Sequence, residues 1–472
     1  MARKTLLGNK IRRLREQAGL TQARMADQLG ISASYLNLIE HDQRPVTVSL
    51  LLKLGKRFDV ELTDLSDDDD RKLAGGLREV FSDSTLAAHG VGGDEIRSLA
   101  EAAPNAAKAI LELYRAYRLA RDDAQSMTLG LPSGTTRRMV LPAEEARDFF
   151  HDRTNYFDEI EVAAERVVRE ANLPPGEPWR GLVDYAKAKH GIAVEIVEPG
   201  PLAGAVRRYD ARTKKLQLSE ILPRASRRFH LAYQIGQMEA RKPVDMIVAT
   251  AKLASKETET LVRVGLYNYF AGAALMPYAP FLEAARRLRY DVELLSHHFG
   301  VSFEQACHRL STLQRPGDKG VPLWLVRVDI AGNVSKRFSA AGFHFSRFGG
   351  SCPRWIVHEA FTSPGRILTQ VARLTDGATF FSVARTVAKS AAGWREPPTT
   401  YALGIGCELT RASEIVYADG LDLEKPGNVV EIGVGCRVCE RENCRQRAYP
   451  PLQHRLDVDL NVKGATAYGF KK

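Results

Sequence analysis

Four stretches of hydrophobic periodicity divide the chain. Over the first 65 residues, apolar positions recur at helical spacing in short runs separated by tight turns. Ile11, Leu14 and Ala18 form one stripe of a first helix. Gly19 ends it, because glycine tolerates the backbone shape of a helix C-terminus. Thr21 caps a second helix whose core face is Met25, Ala26 and Leu29. Gly30 then makes a tight turn and Ser32 caps a third helix, anchored inward by Leu36 and Ile39. Leu50, Leu51, Leu54 and Phe58 supply a closing helix.

The acidic stretch Ser66–Asp70 follows, and its four adjacent like charges predict a solvated linker. Within Arg71–Asp123, residues Ala107, Ile110, Leu111, Tyr114 and Tyr117 predict an amphipathic helix that either pairs with its twin in a dimer or packs on its own chain. Beyond the polar residues around Ser126–Arg138 the pattern mixes helix and strand. Ile160, Ala163, Ala164, Val167 and Val168 mark a helix, and Ile192–Val197 alternates as a strand. Gly204–Leu218 reads as a hairpin turning near Asp210–Lys215. Long helical patterns cover Phe229–Ala240, Glu257–Leu275 and Pro280–Leu313. The Pro and Gly content of Gln314–Pro322 marks a second linker, after which Leu323–Ile330 and Ala378–Val387 read as strands among Gly-rich turns. The expected organisation is multidomain: an all-α domain over 1–65, a helical linker or dimerisation region over 66–134, an α+β domain over 135–315, and an α+β Cys-rich domain over 316–472.

Composition changes this picture in two ways. The net charge of +10 on 472 residues favours an anionic partner, of which nucleic acid is the commonest, unless the chain is merely a basic soluble protein. No early apolar run precedes a small-residue cleavage site and no stretch is long and apolar enough to span a membrane, so a cytoplasmic, nucleoid-associated protein is expected. With Leu36 and Ile39 inward, Ala33, Ser34, Tyr35 and Asn37 face out from the third helix. Such a helix fits the DNA major groove and reads base edges with its N-terminal residues, and Ala33, Ser34 and Asn37 are small or polar enough to let the backbone approach. Gln22, at a helix N-terminus, is placed to hold a phosphate, and Arg44 is a second phosphate candidate. Residues 1–65 carry eleven Lys/Arg against seven Asp/Glu, a net charge of +4, so operator affinity should rely on a homodimer or a dimer of dimers. The alternative is a small helical bundle that does not bind DNA.

The second change comes from cysteine. Six thiols are too few for a disulfide framework, yet five lie beyond residue 350. Cys436, Cys439 and Cys444 have C-x2-C-x4-C spacing, which lets thiolates converge on one soft metal centre. Cys407 is the expected fourth ligand, with Cys352 as the alternative, while Cys307 falls on an amphipathic helix as buried structure. One obvious ligand pair with an outlying third suits an iron–sulfur cluster better than structural zinc, which usually has two pairs; zinc and metal-free reactive thiols remain alternatives.

Three resemblances follow from these residues. Gly19-Leu20-Thr21-Gln22, Leu29-Gly30-Ile31-Ser32 and Tyr35-Leu36-Asn37-Leu38-Ile39-Glu40 resemble the Xre/phage-repressor helix-turn-helix domains. The run Phe229–Gln237, after the hairpin ending Leu216-Gln217-Leu218, resembles the helix of the ImmA/IrrE zinc metallopeptidase-like family. There the helix carries His-Glu-x-x-His, with two histidines on zinc and the Glu as base. Aligned on Gly236, this chain has Tyr233, Gln234 and Gln237 in those slots, and Leu266 stands at the usual acidic ligand. Glutamine is neither imidazole nor a general base, which argues against peptidase activity. The frame is thus a degenerate zincin-like domain whose former cleft is a natural small-molecule pocket lined by Tyr233 and Gln237, unless these are ordinary core or surface residues. His230, His297 and His298 are expected to be ordinary helix histidines.

Together with Gly435–Pro450 and with Cys407-Glu408-Leu409 through Tyr417–Gly420, these pieces resemble the short-chain fatty acid regulators over nearly the whole chain. The resemblance implies a non-enzymatic transcription factor of propionate or acetate metabolism. It further implies an acyl-CoA effector, propionyl-CoA in one branch, and a [4Fe–4S] cluster there. A redox-sensing regulator and a repressor–protease fusion are the alternative readings. No phosphate-binding loop is visible, so the resemblance leaves the CoA contacts unassigned.

Overall fold

The structure, a computed structural model, describes residues 8–41, 43–44, 46–58, 68–83, 85–86, 89–128, 142–202, 204–345, 351–389, 398–423, 425–451, 455–458, 461–462, 464, 466 and 470–471. Two compact units form, Met1–Arg118 and Leu119–Lys472. Among the described residues no helix is long and apolar enough to cross a membrane.

The first unit opens with α1 (Gly8–Gln17), α2 (Gln22–Leu29), α3 (Ala33–Glu40) and α4 (Val48–Phe58). The Thr21 hydroxyl accepts from the Arg24 amide at 3.3 Å and the Ser32 hydroxyl from the Tyr35 amide at 3.1 Å, so both caps satisfy an otherwise orphaned N–H. Gly30 closes α2 at φ +66°, a conformation that penalises any Cβ. Lys53 donates to the freed Leu29 carbonyl at 2.9 Å. Ile11, Met25, Ala26, Leu29, Leu36, Ile39, Leu50 and Leu54 form the core, with Leu14 at its edge. Ala18, expected in the first stripe, is exposed because α1 ends at Gln17.

A second small core belongs to α5 (Asp68–Phe81), α6 (Gly93–Ala102) and α7 (Pro104–Thr128). The acidic stretch is therefore not wholly a linker: from Asp68 its backbone opens α5. Ala107, Ile110 and Leu111 of α7 pack on Ala74, Leu77, Ile96 and Ala100, so this part of the stripe is used within the chain. Gly76 lies at this contact: a Cβ there would sit 2.9 Å from the end of the Leu111 side chain, which would have to shift. Most of the polar break over Ser126–Arg138 lies outside the described residues.

In the second unit, α8 (Pro142–Asp152), α9 (Asp158–Glu170) and α10 (Trp179–His190) precede a three-stranded sheet. β1 (Ala193–Val197) runs parallel to β3 (Lys215–Ser219), and β2 (Arg207–Asp210) pairs antiparallel with β3, as the hairpin pattern predicts. Next come α11 (Arg224–Glu239), α12 (Arg241–Thr250) and α13 (Lys256–Leu275). α11 and α13 approach closely because Gly236 faces Phe270; a Cβ would sit 2.6 Å from its ring. The pattern over Pro280–Leu313 is three helices, α14 (Tyr278–Arg287), α15 (Val292–Phe299) and α16 (Phe303–Leu310). Asp291 caps α15, Gly300 at φ +61° stops it, and Ser302 with Gln305 forms a capping box for α16.

Residues 314–322 are not a free linker. Tyr278 donates to the Asp318 carbonyl at 2.9 Å, Arg286 pairs with Asp318 at 3.0 Å, and Val321 is buried. Beyond them β4 (Trp324–Asp329), β5 (Val334–Ser339), β6 (Leu368–Arg373), β7 (Thr379–Ala388), β8 (Thr400–Glu408) and β9 (Val429–Glu431) form one sheet in the order β5-β4-β8-β7-β6-β9. One face, including Leu325, Phe381, Val383, Ile405 and Cys407, joins the helical core. The other, with Trp324, Val326, Phe380 and Ala384, packs on Trp355 and α17 (Ile356–Glu359). Gly404 and Gly406 of β8 leave room for Val357 and Trp324.

Candidate functional site

On α3, Ser32, Ala33, Ser34 and Asn37 are exposed on the face opposite the core, and Arg44 is exposed just beyond the helix. Tyr35 is half-buried against the core rather than fully outward. Gln22 does more than stand at the N-terminus of α2: its amide donates to Glu40 at 2.7 Å and to Asn37 at 3.2 Å. Glu40 itself is buried and receives both Nε and Nη2 of Arg15, at 2.7 and 3.1 Å. Burial alone would raise the Glu40 pKa, but hydrogen bonds from Arg15 and Gln22 outweigh it and hold the carboxylate below its usual range. This chain, α1 to α3 to α2, fixes the orientation of the reading face. Asn37→Ala is expected to cut operator affinity by about tenfold, since a lost base contact costs about 1–3 kcal/mol. Non-specific DNA binding should be unchanged, and equal losses on both DNAs would show that Asn37 does not read bases.

The second site lies on α11. Tyr233, Gln234 and Gln237, the three positions aligned with His-Glu-x-x-His, converge on one residue that sequence reasoning missed, Arg207 of β2. Its Nη2 donates to the Gln234 side-chain oxygen and, at 3.2 Å, to that of Gln237, and its guanidinium lies 4.8 Å over the Tyr233 ring. Leu266 is buried. No metal ligand and no base remain in these positions. Burial pulls the His230 pKa down to about 4, helped by the fields of Arg207 and Lys389, so this imidazole is neutral. His297 and His298 are exposed on α15, as expected.

The third site is a recess lined by Cys352, Cys436, Cys439 and Cys444, with Gly433, Gly435, Arg441 and Arg447. The structure departs here from the expected fourth thiol. Cys407 pairs in register with Phe381 and is buried in the helical core, on the face of the sheet away from Cys352. Burial pushes its thiol up to about 12, an inert group. Cys307 is likewise fully buried. Arg447, itself buried, staples the cysteine loop by donating to the carbonyls of Cys436, Cys439 and Arg441. Gly433 lets the Cys439 sulfur in, because a Cβ there would lie 2.9 Å from it. Burial raises the Cys352 thiol, while the amides of Gly433 and Arg354 point at it and work the other way. Among the described residues, no group of three or more His, Cys, Asp or Glu side chains has the geometry to hold a single metal ion.

Comparison with known proteins decides the family. Residues 312–468 match the model of the short-chain fatty acyl coenzyme A regulator C-terminal domain, 187–311 the IrrE N-terminal-like domain, and 11–65 a helix-turn-helix domain. The HTH-type transcriptional regulator PrpR of Mycobacterium tuberculosis is 42% identical over 98% of this chain and 96% of its own length. The chain belongs to the short-chain fatty acyl coenzyme A regulators. The propionyl-CoA carboxylase regulator of Cereibacter sphaeroides is 40% identical over 99% of both chains. RamB, another HTH-type regulator of M. tuberculosis, is 42% identical over 99% of both. A solved M. tuberculosis transcriptional regulator superposes with a TM-score of 0.67 at 46% identity, covering 69% of this chain and 98% of that one. The chain is thus a helix-turn-helix, DNA-binding member of a family of transcriptional regulators.

Proposed function

We propose that this regulator binds an acyl-CoA within Leu119–Lys472 and changes its operator affinity in response, without enzymatic activity of its own. The observation carrying this reading is the set around Arg207: in place of two zinc ligands and a base, Tyr233, Gln234 and Gln237 surround a guanidinium. That exchange removes hydrolysis and leaves a polar-walled site. Tyr233 and Gln237 would line it. The name of the C. sphaeroides relative, a propionyl-CoA carboxylase regulator, supports propionate metabolism as the controlled process.

The recess of four cysteines supports a cluster as part of the same protein. Cys352, Cys436, Cys439 and Cys444 would hold a [4Fe–4S] cluster, whose ligand sulfurs stand farther apart than those on one ion. It would supply one-electron chemistry and local order when bound. Arg447 and the amides facing Cys352 fit thiolate ligands rather than thiols. This same recess also favours the redox-sensing alternative.

The test is thermal melting of the full chain with propionyl-CoA, acetyl-CoA and free CoA. At a hundredfold excess over Kd a true ligand stabilises the native state by about 2.7 kcal/mol through linkage. One acyl-CoA is expected to raise the melting temperature selectively and to shift operator binding. No response to any of the three, with operator binding instead following cluster oxidation, would replace the acyl-CoA reading by the redox one.

A further inference from the structure

Cys352 reaches the recess from a different part of the chain than Cys436, Cys439 and Cys444, and a separate set of contacts fixes it there. It sits in a tight turn, with its carbonyl accepting from the Trp355 amide at 3.1 Å. Side chains clip this turn on both sides. Before it, the Ser351 hydroxyl and Nε2 of His358 on α17 share a hydrogen bond of 2.8 Å. After it, the side-chain amide of Gln370 spans the turn: Nε2 donates to the Arg354 carbonyl at 3.0 Å, and Oε1 accepts from the Ile356 amide at 3.2 Å. A glutamine amide has a donor end and an acceptor end, and here each meets the backbone group it suits. Gln370 is buried on β6, on the face it shares with Leu368 and Ala372, where Trp355 packs.

The same strand holds the cysteine loop. Farther along β6, the Arg373 carbonyl accepts from the Ile432 amide at 2.9 Å and from Nη2 of Arg441 at 2.8 Å. Arg441 closes this corner by donating Nε to the Ile432 carbonyl at 3.1 Å. Ile432 precedes Gly433, whose amide faces the Cys352 sulfur from the loop side, as the Arg354 amide does from the turn side. One strand therefore sets the spacing between the lone cysteine and the other three. Gln370 carries the turn and Arg373 carries the loop, about 10 Å apart at the rise of an extended chain.

We propose that Gln370, assisted by the Ser351–His358 pair, is the positioning residue for Cys352 in the iron–sulfur site. This rests on the cluster reading above. Gln370 acts through the backbone of the turn: it fixes the turn's rotation and with it the Arg354 N–H aimed at the Cys352 sulfur. An N–H on a ligand sulfur stabilises the extra negative charge of a reduced cluster, so weakening it lowers the reduction potential. A loosened turn also lets one of the four ligands leave more easily, which speeds loss of the metal.

The experiment uses the full chain, loaded anaerobically with iron and sulfide. Gln370→Met keeps the length of the side chain and removes both clip bonds. Ser351→Ala removes only a half-buried hydroxyl, and Cys407→Ala is the control behind the sheet. Two quantities are read: the rate of iron release to a chelator, and the midpoint potential followed by the visible absorption. Gln370→Met is expected to release iron about tenfold faster, the lower end of what losing an outer-shell partner costs in metal affinity, and to have a lower midpoint. Ser351→Ala should move both readings in the same direction by less, and Cys407→Ala neither. A folded Gln370→Met with the wild-type rate and midpoint overturns the inference. Faster release at an unchanged midpoint also overturns it, because it marks a glutamine that only supports the fold. If Gln370→Met does not fold, Ser351→Ala decides by the same two readings. A wild type that binds no iron and sulfide removes the cluster reading itself, and this inference with it, whereas unchanged variants of a loaded wild type remove the inference alone.

Discussion

Cys352→Ala is expected to remove bound iron and sulfide, with the visible absorption they give, from the anaerobically purified full chain, while Cys407→Ala leaves all three unchanged. The two residues compete on paper as partners for Cys436, Cys439 and Cys444, and they differ in where the sheet puts them. Cys352 opens onto the same recess as the other three. Cys407 is buried behind the sheet, in the helical core with Phe381, and would have to cross the sheet to reach a metal. Its replacement by alanine leaves a small cavity and a modest loss of stability, about 1 kcal/mol for a shed sulfur atom on the scale of other small core deletions. Retention of the chromophore in Cys352→Ala together with its loss in Cys407→Ala would reverse the assignment. A colourless wild type carrying one zinc per chain would replace the cluster by the zinc alternative.

The local signals were legible in the sequence, and the tertiary ones were not. Thr21, Gly30 and Ser32 act on their own backbone neighbours, so their roles could be read directly from residue type and spacing. The reach of the pattern over Pro280–Leu313 was overstated because continuous helical periodicity persists across Asp291, Gly300 and Ser302, whose capping chemistry breaks it into three. Asp68–Asp70 read as a linker by charge, yet their backbone opens α5. The sites depended on partners distant in sequence. Cys352 meets the cysteine loop because β9, just before that loop, is carried to β6 at the sheet edge. Arg207 meets Gln234 and Gln237 because β2 lies at the edge of its own sheet. Neither pairing leaves a spacing that a scan of the chain would register. Replacement of His-Glu-x-x-His was visible in the sequence; the cation standing among the replacements was not.

Breaking the Arg309–Glu161 pair is expected to cost more stability than any other single charge removal in the second unit. Arg309 of α16 donates Nη1 and Nη2 to the two oxygens of Glu161 on α9 at 2.6 and 2.9 Å, and both side chains are essentially inaccessible to solvent. The remaining valences are also filled: Tyr269 of α13 donates to Glu161 at 2.6 Å, and Arg309 Nε donates to the Met276 carbonyl at 2.8 Å. Three helices far apart in sequence are therefore held by one closed network. Arg309→Met strands a carboxylate in the core, and an uncompensated buried charge costs about 3–5 kcal/mol, against about 0–1 kcal/mol for the exposed pairs elsewhere on the surface. The melting temperature of Arg309→Met should fall by several degrees. Removing both charges together, as Arg309→Met with Glu161→Leu, should recover a large part of the loss, because no lone charge is then left behind. A double variant that sums the two single losses would show that the pair contributes packing and hydrogen bonds independently rather than as mutual neutralisation.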